Sequence, residues 1–308
     1  MARSEYNTYV WNHKQTRTGD DVSFEWDSYE SYKSDFDNIR KMDPALYNRA
    51  RECGASDSVR WYGTEGGFNG MLDRIEKGWP ELREQLAKML SDCELEVPRF
   101  PSMSRVRRRK IRRGDDGDDL HQERVWEGNL ETAWDKPTRI EKVTPNNKRI
   151  TICFDVTANG WVTNEQAMWR AALCMLLVQS LTKAGRTFEI WVTDSTSHPF
   201  ISSNAPRRLW TAWCVKRTAD PVVMDRLCSM VSVGFMRTVG FMAEGAGQWE
   251  VSSSFGGALN SGLPHTLRDR AKAGEVVIRI GECYSKPQAL EHYKQVWNEI
   301  ESRNSEAA

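Results

Sequence analysis

The residues from Arg149 to Thr196 constrain the fold more than any other part of the chain. "RITICFDVT" is a short apolar run with the length of a buried strand, and it ends in a carboxylate. "TNEQAMWRAALCMLLVQSLTKAG" follows, opened by Thr163 and Gln166 in a capping-box arrangement and closed by Gly185. "RTFEIWVTDST" is a second strand that again ends in Asp. A strand, a helix of about six turns and a strand predict parallel pairing through a right-handed crossover. "RRLWTAWCVKR", "VGFMRTVGF" and "GEVVIRIGE" read as further strands. "DPVVMDRLCSMVS" reads as a helix capped by Asp220 with Pro221 in its first position. "SKPQALEHYKQVWNEIESR" is a closing helix with Leu290, Tyr293, Trp297 and Ile300 on one face. Residues 149–308 therefore predict an α/β domain with a Rossmann-like, mostly parallel, doubly wound sheet.

A chain of 308 residues has room for more than that domain. Residues 1–103 read as a small helical and irregular N-terminal region. One helix is predicted at "DPALYNRAREC", capped by Asp43 with Pro44 first. Phe68, Met71, Leu72 and Ile75, then Leu82 and Leu86, recur at helical spacing, and Gly78 with Pro80 divides them into two helices. Residues 104–148 carry the break in composition and read as a basic-acidic linker followed by a connecting arm anchored by Trp126 and Trp134.

That linker is the most unusual stretch. "SRVRRRKIRRGDDGDDL" sets Arg105, Arg107, Arg108, Arg109, Lys110, Arg112 and Arg113 against Asp115, Asp116, Asp118 and Asp119. Lys and Arg together number 43 and so do Asp and Glu, so the basic block is not the by-product of a basic protein. It reads in two ways: as phosphate contacts that release counterions from a nucleic acid, or as a solvated linker neutralised by its own aspartates. The 13 Trp residues add flat surfaces on which unpaired bases stack. "DDGDDLHQE" lacks the spacing and closing glutamate of a calcium loop.

The seven Cys residues are odd in number, form no C-x-x-C pair and fall mostly in apolar runs, which predicts buried free thiols in a reducing cytoplasm. The N-terminus has no apolar core for a signal peptide, and "AALCMLLV" is too short to span a bilayer, so no membrane partner is expected.

Ligands of an open α/β sheet bind beyond the carboxyl ends of its parallel strands. "DVTANG" places Asp155, Thr157 and Asn159 there at alternate positions, and the second strand adds Asp194. A carboxylate, a hydroxyl and an amide so spaced can turn toward one hard cation. This loop, with the apolar strand before it and the long helix after it, resembles the von Willebrand factor A family, whose D-x-S-x-S loop forms a metal-dependent adhesion site. The acidic lead-in "GDDGDDL" and the run "AGRTFEIWVTD" are similar to its cobalt-chelatase-associated branch. That resemblance implies a protein-interaction module working beside an AAA+ ATPase, with Mg or Ca at the loop. Asn159 stands where a second hydroxyl belongs, and the glycine between the hydroxyl positions is missing, so a degenerate site without a cofactor is expected. The layout of the whole chain, including "WYGTEGGF" and the arginine block, also resembles a protein family of schitoviruses, podoviruses that carry a virion RNA polymerase. It implies a non-enzymatic protein of the host cytoplasm that binds single-stranded DNA and recruits a phage RNA polymerase in transcription activation.

Other chemistries find less support. Asp155, Asp194 and Glu282 end three predicted strands and would suit a metal-dependent nuclease if they converged. The five His residues show no HxH or HExxH spacing, "GAGQWE" and "SFGGALNSG" lack the phosphate-gripping lysine of a Walker loop, and "SSSFGG" is not a nucleophile elbow.

Overall fold

The computed structural model describes residues 14–18, 21–54, 66–91, 111–114, 119–137, 149–157, 162–197, 208–246, 257–258 and 262–305. They fall into two compact units, one built from 1–97 with 148–308 and a smaller one from 98–147.

In the larger unit a hairpin, β1 (Lys14–Thr18) and β2 (Asp21–Trp26), leads into the helices α1 (Tyr29–Met42), α2 (Pro44–Gly54), α3 (Gly67–Lys77) and α4 (Pro80–Ser91). In the smaller unit β3 (Ile111–Gly114) and β4 (Asp119–Leu120) are followed by α5 (Gln122–Trp126), a 3-10 turn and β5 (Trp134–Pro137). The larger unit resumes with β6 (Ile150–Asp155), α6 (Asn164–Lys183), β7 (Phe188–Ser197), β8 (Arg208–Lys216) and α7 (Met224–Met230). A further helical stretch runs through α8 (Val233–Phe235), a π turn (Met236–Gly240) and α9 (Phe241–Ala246). Then come β9 (Gly257–Ala258), α10 (His265–Lys272), β10 (Val276–Ile280) and α11 (Lys286–Ser305).

The α/β expectation holds. β6 and β7 pair in parallel through α6, and β10 joins the other side of β6 in parallel. The full order is β1-β2-β8-β7-β6-β10, with β9 added on β7. The parallel, Rossmann-like centre β7-β6-β10 is extended by β8, which runs antiparallel to β7. Thr163 caps α6 reciprocally with Gln166, and Gly185 ends it at φ +65°. The Leu46 amide donates to Asp43 Oδ1 at 2.9 Å, the cap expected for α2.

Three expectations are corrected. The N-terminal residues are not a helical region apart, because β2 lies parallel to β8 and extends the main sheet. Trp26 stacks on Trp213 at 5.5 Å, Trp213 meets Phe235 edge-on at 5.2 Å, and the Trp26 indole donates to Asp35 Oδ2 of α1. β2 and α1 thus share one aromatic core with β8 and α8. The run "VGFMRTVGF" is helical instead of extended. Ser232 Oγ accepts from the Phe235 amide and Thr238 Oγ1 donates to the Gly234 carbonyl, while Val233 to Gly240 are all buried, so no period marks a helix there. Asp220 does not cap a helix: its carboxylate accepts from the Arg217 amide in the turn after β8, and α7 starts only at Met224.

Cys153, Cys174, Cys214, Cys228 and Cys283 are free and buried, as expected. Among the described residues no helix is long and apolar enough to cross a membrane.

Candidate functional site

Asp155 is the last residue of β6, and its chain turns so that the Thr157 amide donates to Asp155 Oδ1 at 3.1 Å. The Thr157 hydroxyl lies 2.6 Å from Asp155 Oδ1 and 2.8 Å from Asp194 Oδ1, and its oxygen accepts from the Ser195 amide at 2.7 Å. Ser195 Oγ donates to Asp155 Oδ2 at 3.0 Å, and Arg279 Nη2 of β10 donates to the same oxygen. Thr157 amide, Thr157 hydroxyl, Ser195 hydroxyl and Arg279 guanidinium therefore meet the roughly four lone-pair sites of one carboxylate. The guanidinium supplies at Asp155 the positive charge that a cation would bring. Among the described residues no group of three or more His, Cys, Asp and Glu could hold a metal ion. The residues present do not fit the Mg or Ca that the loop resemblance implies; Asn159 lies outside the described residues.

Asp194 faces the opposite problem. It sits within β7, not at its end, because the strand continues to Ser197 against β8. Its side chain is 1% exposed and Oδ2 has no hydrogen-bond partner. That oxygen faces Gly240 of the π turn so closely that a Cβ there would come within 2.8 Å of it. Burial pushes the Asp194 carboxyl up to about 7; the Thr157 hydroxyl opposes this and the Asp155 charge adds to it. Glu244, one turn beyond Gly240, is fully buried and is held well above the ordinary carboxyl range by burial and then by Asp194. With a proton on Asp194, Thr157 can accept from it and donate to Asp155.

Arg170 closes this site. It is buried in the apolar run of α6, donates through Nη2 to the Thr157 carbonyl at 3.3 Å and lies over the Tyr284 ring at 5.4 Å, while Nε and Nη1 have no partner. Glu282, the third carboxylate of the nuclease arrangement, is exposed and stands outside the Asp155–Thr157–Asp194 cluster. Sequence reasoning named Asp155, Thr157 and Asp194 and missed Arg170, Ser195, Gly240, Glu244 and Arg279. The signals were a lone charge inside "MWRAALCMLL" and another inside "VVIRI".

Arg105, Arg107, Arg108, Arg109 and Lys110 of the basic block lie outside the described residues, as do Asp115, Asp116 and Asp118. Arg112 and Arg113 are in β3, in a three-stranded antiparallel sheet of order β3-β5-β4. Arg112 pairs with Lys136, and Arg113 with Asp135, which in turn pairs with Asp119 of β4. Of the tryptophans, Trp191, Trp210, Trp213 and Trp297 are core residues, whereas Trp126 of α5 is 90% exposed. Leu120 and Leu130, at 46% and 62%, are exposed near it in the sequence.

No curated protein and no solved structure matches this chain. A family model does match it over residues 13–302, a range that takes in both compact units, and the chain accordingly belongs to the family described as Domain of unknown function (DUF7192).

Proposed function

We propose that this protein is a non-enzymatic single-stranded-DNA-binding protein whose contacts come from the 98–147 unit. The observation that carries the reading is Trp126, 90% exposed in the same compact unit that holds the arginine block. Indoles stack on unpaired bases of any sequence, and Lys and Arg follow the phosphates. The strand-end site supports a role without catalysis, since the Asp155 carboxylate is taken up by Thr157, Ser195 and Arg279. The resemblance to a schitovirus family supplies the setting: a host cytoplasm, where the buried thiols stay reduced, and a phage RNA polymerase brought to the bound strand for transcription.

The test is anisotropy of a labelled oligothymidine with the full chain over a salt series, against the same length of duplex. Binding to the single strand that weakens steeply with salt is expected, and so is its loss when Arg107, Arg108, Arg109, Arg112 and Arg113 become Ala. No binding at low salt, or affinity indifferent to those changes, overturns the reading. Retention of polymerase subunits on the protein with oligonucleotide present, and not without it, is the expected result for the polymerase partner.

A second reading, a von Willebrand A-like interaction module beside an AAA+ ATPase, is favoured by the Asp155–Thr157 turn at the carboxyl end of β6. It requires a partner to dock at that face without a bridging metal. Calorimetry with magnesium tests the metal-bridged form, for which heat of binding is required.

A further inference from the structure

Arg170 stands in the apolar run of α6 and is 1% exposed. A guanidinium keeps its charge inside a protein, and a buried charge is costly unless it is paired and hydrogen-bonded. Arg170 is neither. Nη2 reaches two neutral oxygens, the Thr157 carbonyl at 3.3 Å and the Tyr284 hydroxyl at 3.4 Å, and both distances exceed the usual range of such bonds. Nε and Nη1 have no partner. The neighbouring carboxylates do not make good the deficit. Asp155 Oδ2 accepts from Arg279, while Asp194 turns Oδ1 to the Thr157 hydroxyl and Oδ2 to Gly240. Elsewhere in the sheet the matching is ordinary, with Arg149 and Arg270 both bound to Glu189.

The place of this unmatched cation in the fold is specific. Thr157 follows the carboxyl end of β6, and Tyr284 follows that of β10, the adjacent parallel strand. Beyond such strand ends an open parallel sheet takes its ligands. A second buried guanidinium lies close along the chain path: Arg237 of the π turn, 2% exposed, donates through Nη2 to the Val162 carbonyl at 3.0 Å. Thr157 and Val162 bound the connection from β6 to α6, so the carbonyl at each end of it receives a guanidinium. The 20-residue α6 starts just after Val162 and adds the positive end of its dipole.

We propose that Arg170 is the receptor for a phosphate group bound at the carboxyl ends of β6 and β10. The inference does not rest on the single-strand reading. Phosphate oxygens accept from Nε and Nη1, the two nitrogens that lack a partner, in charge-assisted bonds. A phosphate suits the place better than a carboxylate does, because its second charge is met by Arg237 and the α6 terminus. Tyr284 is the cover. Its ring lies over the guanidinium at 5.4 Å and the residue is only partly buried, so it stands between Arg170 and solvent. Its hydroxyl donates to the Thr157 carbonyl at 3.4 Å, as long a bond as the one it accepts from Arg170. Contacts of that length are weak, and turning the ring aside to admit an anion gives up little.

The experiment is calorimetry of the full chain at fixed ionic strength in a phosphate-free buffer, with inorganic phosphate, thymidine 5′-monophosphate and, as the control without phosphate, thymidine. The Arg170→Met and Arg170→Lys variants are titrated in the same way, with circular dichroism to confirm that each is folded. The wild-type chain is expected to bind the two phosphate compounds and not thymidine. Arg170→Met, which keeps the length and removes the charge, is expected to weaken binding about a hundredfold, the loss of two charge-assisted hydrogen bonds. Arg170→Lys, which keeps the charge and loses the planar fork, is expected to weaken it about tenfold. Equal affinity for the two compounds assigns the site to the phosphate group alone, and tighter binding of the monophosphate assigns it to a nucleotide. Absence of heat with both phosphate compounds, or wild-type affinity in either variant, overturns the proposal. Each variant decides the matter by itself, so the outcome does not depend on both of them folding.

Discussion

Replacing Asp194 by Asn should change how stability depends on pH, and the direction follows from where the carboxyl sits. In the folded protein its proton is released at about 7, against 3.8 for the free side chain. Below 3.8 both folded and unfolded chains hold the proton and nothing is gained or lost. Between 3.8 and about 7 the unfolded chain has released it and the folded chain has not, so stability falls as pH rises. Above about 7 the cost is constant. The rise is about three pH units, and at about 1.4 kcal/mol per unit the wild type loses ~4 kcal/mol across the window. Glu244 is also held well above the usual carboxyl range and adds a fall of the same sign to both proteins, so the share of Asp194 is the difference between the wild-type and Asp194→Asn curves. Asn can turn its amide N–H to the Thr157 oxygen in place of the carboxyl proton and its carbonyl toward Gly240, at a local cost of about 1 kcal/mol. Asp194→Asn is thus expected to be less stable than wild type near pH 4 and more stable by ~3 kcal/mol near pH 8. Urea titrations at each pH, followed by the fluorescence of the buried Trp210 and Trp213, measure both curves. Parallel curves for the two proteins between pH 4 and pH 8 would refute the assignment of a proton to this carboxyl.

Gly240→Ala drives a Cβ to 2.8 Å from Asp194 Oδ2 and should cost about 1–3 kcal/mol of stability; less loss in an Asp194→Ala background, read in a double-mutant cycle, is the expected coupling. Trp213→Ala removes the ring on which Trp26 stacks and Phe235 abuts, and should cost about 3–5 kcal/mol, measured by thermal melting. Burial pushes the Cys153 thiol up to about 12, so at pH 8 it should react with a thiol reagent only at the rate of unfolding, in contrast to the same thiol in urea. Glu189→Ala leaves Arg270 without one of its carboxylate partners and exposes Arg149 to the same loss, and should destabilise by about 3–5 kcal/mol in chemical denaturation.

Local chemistry was legible in the sequence and long-range chemistry was not. Thr163 with Gln166, Asp43 with Pro44, and Gly78 with Pro80 are all read within a few residues, and each marks the helix boundary that its spacing predicts. The pairing of β2 with β8 joins residues nearly two hundred positions apart, and nothing local in "DVSFEW" names its partner, although Val22, Phe24 and Trp26 do alternate as a strand should. "VGFMRTVGF" defeated periodicity because it is buried on every side, where an apolar run has no face to display. The site divided along the same line. Asp155 and Thr157 sit two residues apart and were visible together, whereas Arg279 reaches Asp155 from another strand and Glu244 bears on Asp194 from the helix that follows the run expected to be a strand. One hydrogen bond from Arg279 changes the reading of the loop from a cation seat to an ion pair.

The balance of 43 cations with 43 anions conceals a division between the two units. Residues 98–147 hold twelve Lys and Arg against nine Asp and Glu, so that unit carries +3 and the remainder of the chain −3. In the larger unit the guanidinium groups of Arg149, Arg226, Arg270 and Arg279 are bound to Glu189, Glu30, Glu189 again and Asp155, and Arg83 to Asp225. Charges committed in that way contribute little to attracting a polyanion, and a net negative body repels one. On the single-strand reading proposed above, an approaching strand would be steered by the field of the smaller unit. On the same reading, zero net charge would limit indiscriminate attraction to duplex DNA, which is governed by total phosphate neutralisation, and stacking on the exposed Trp126 indole would hold an unpaired base.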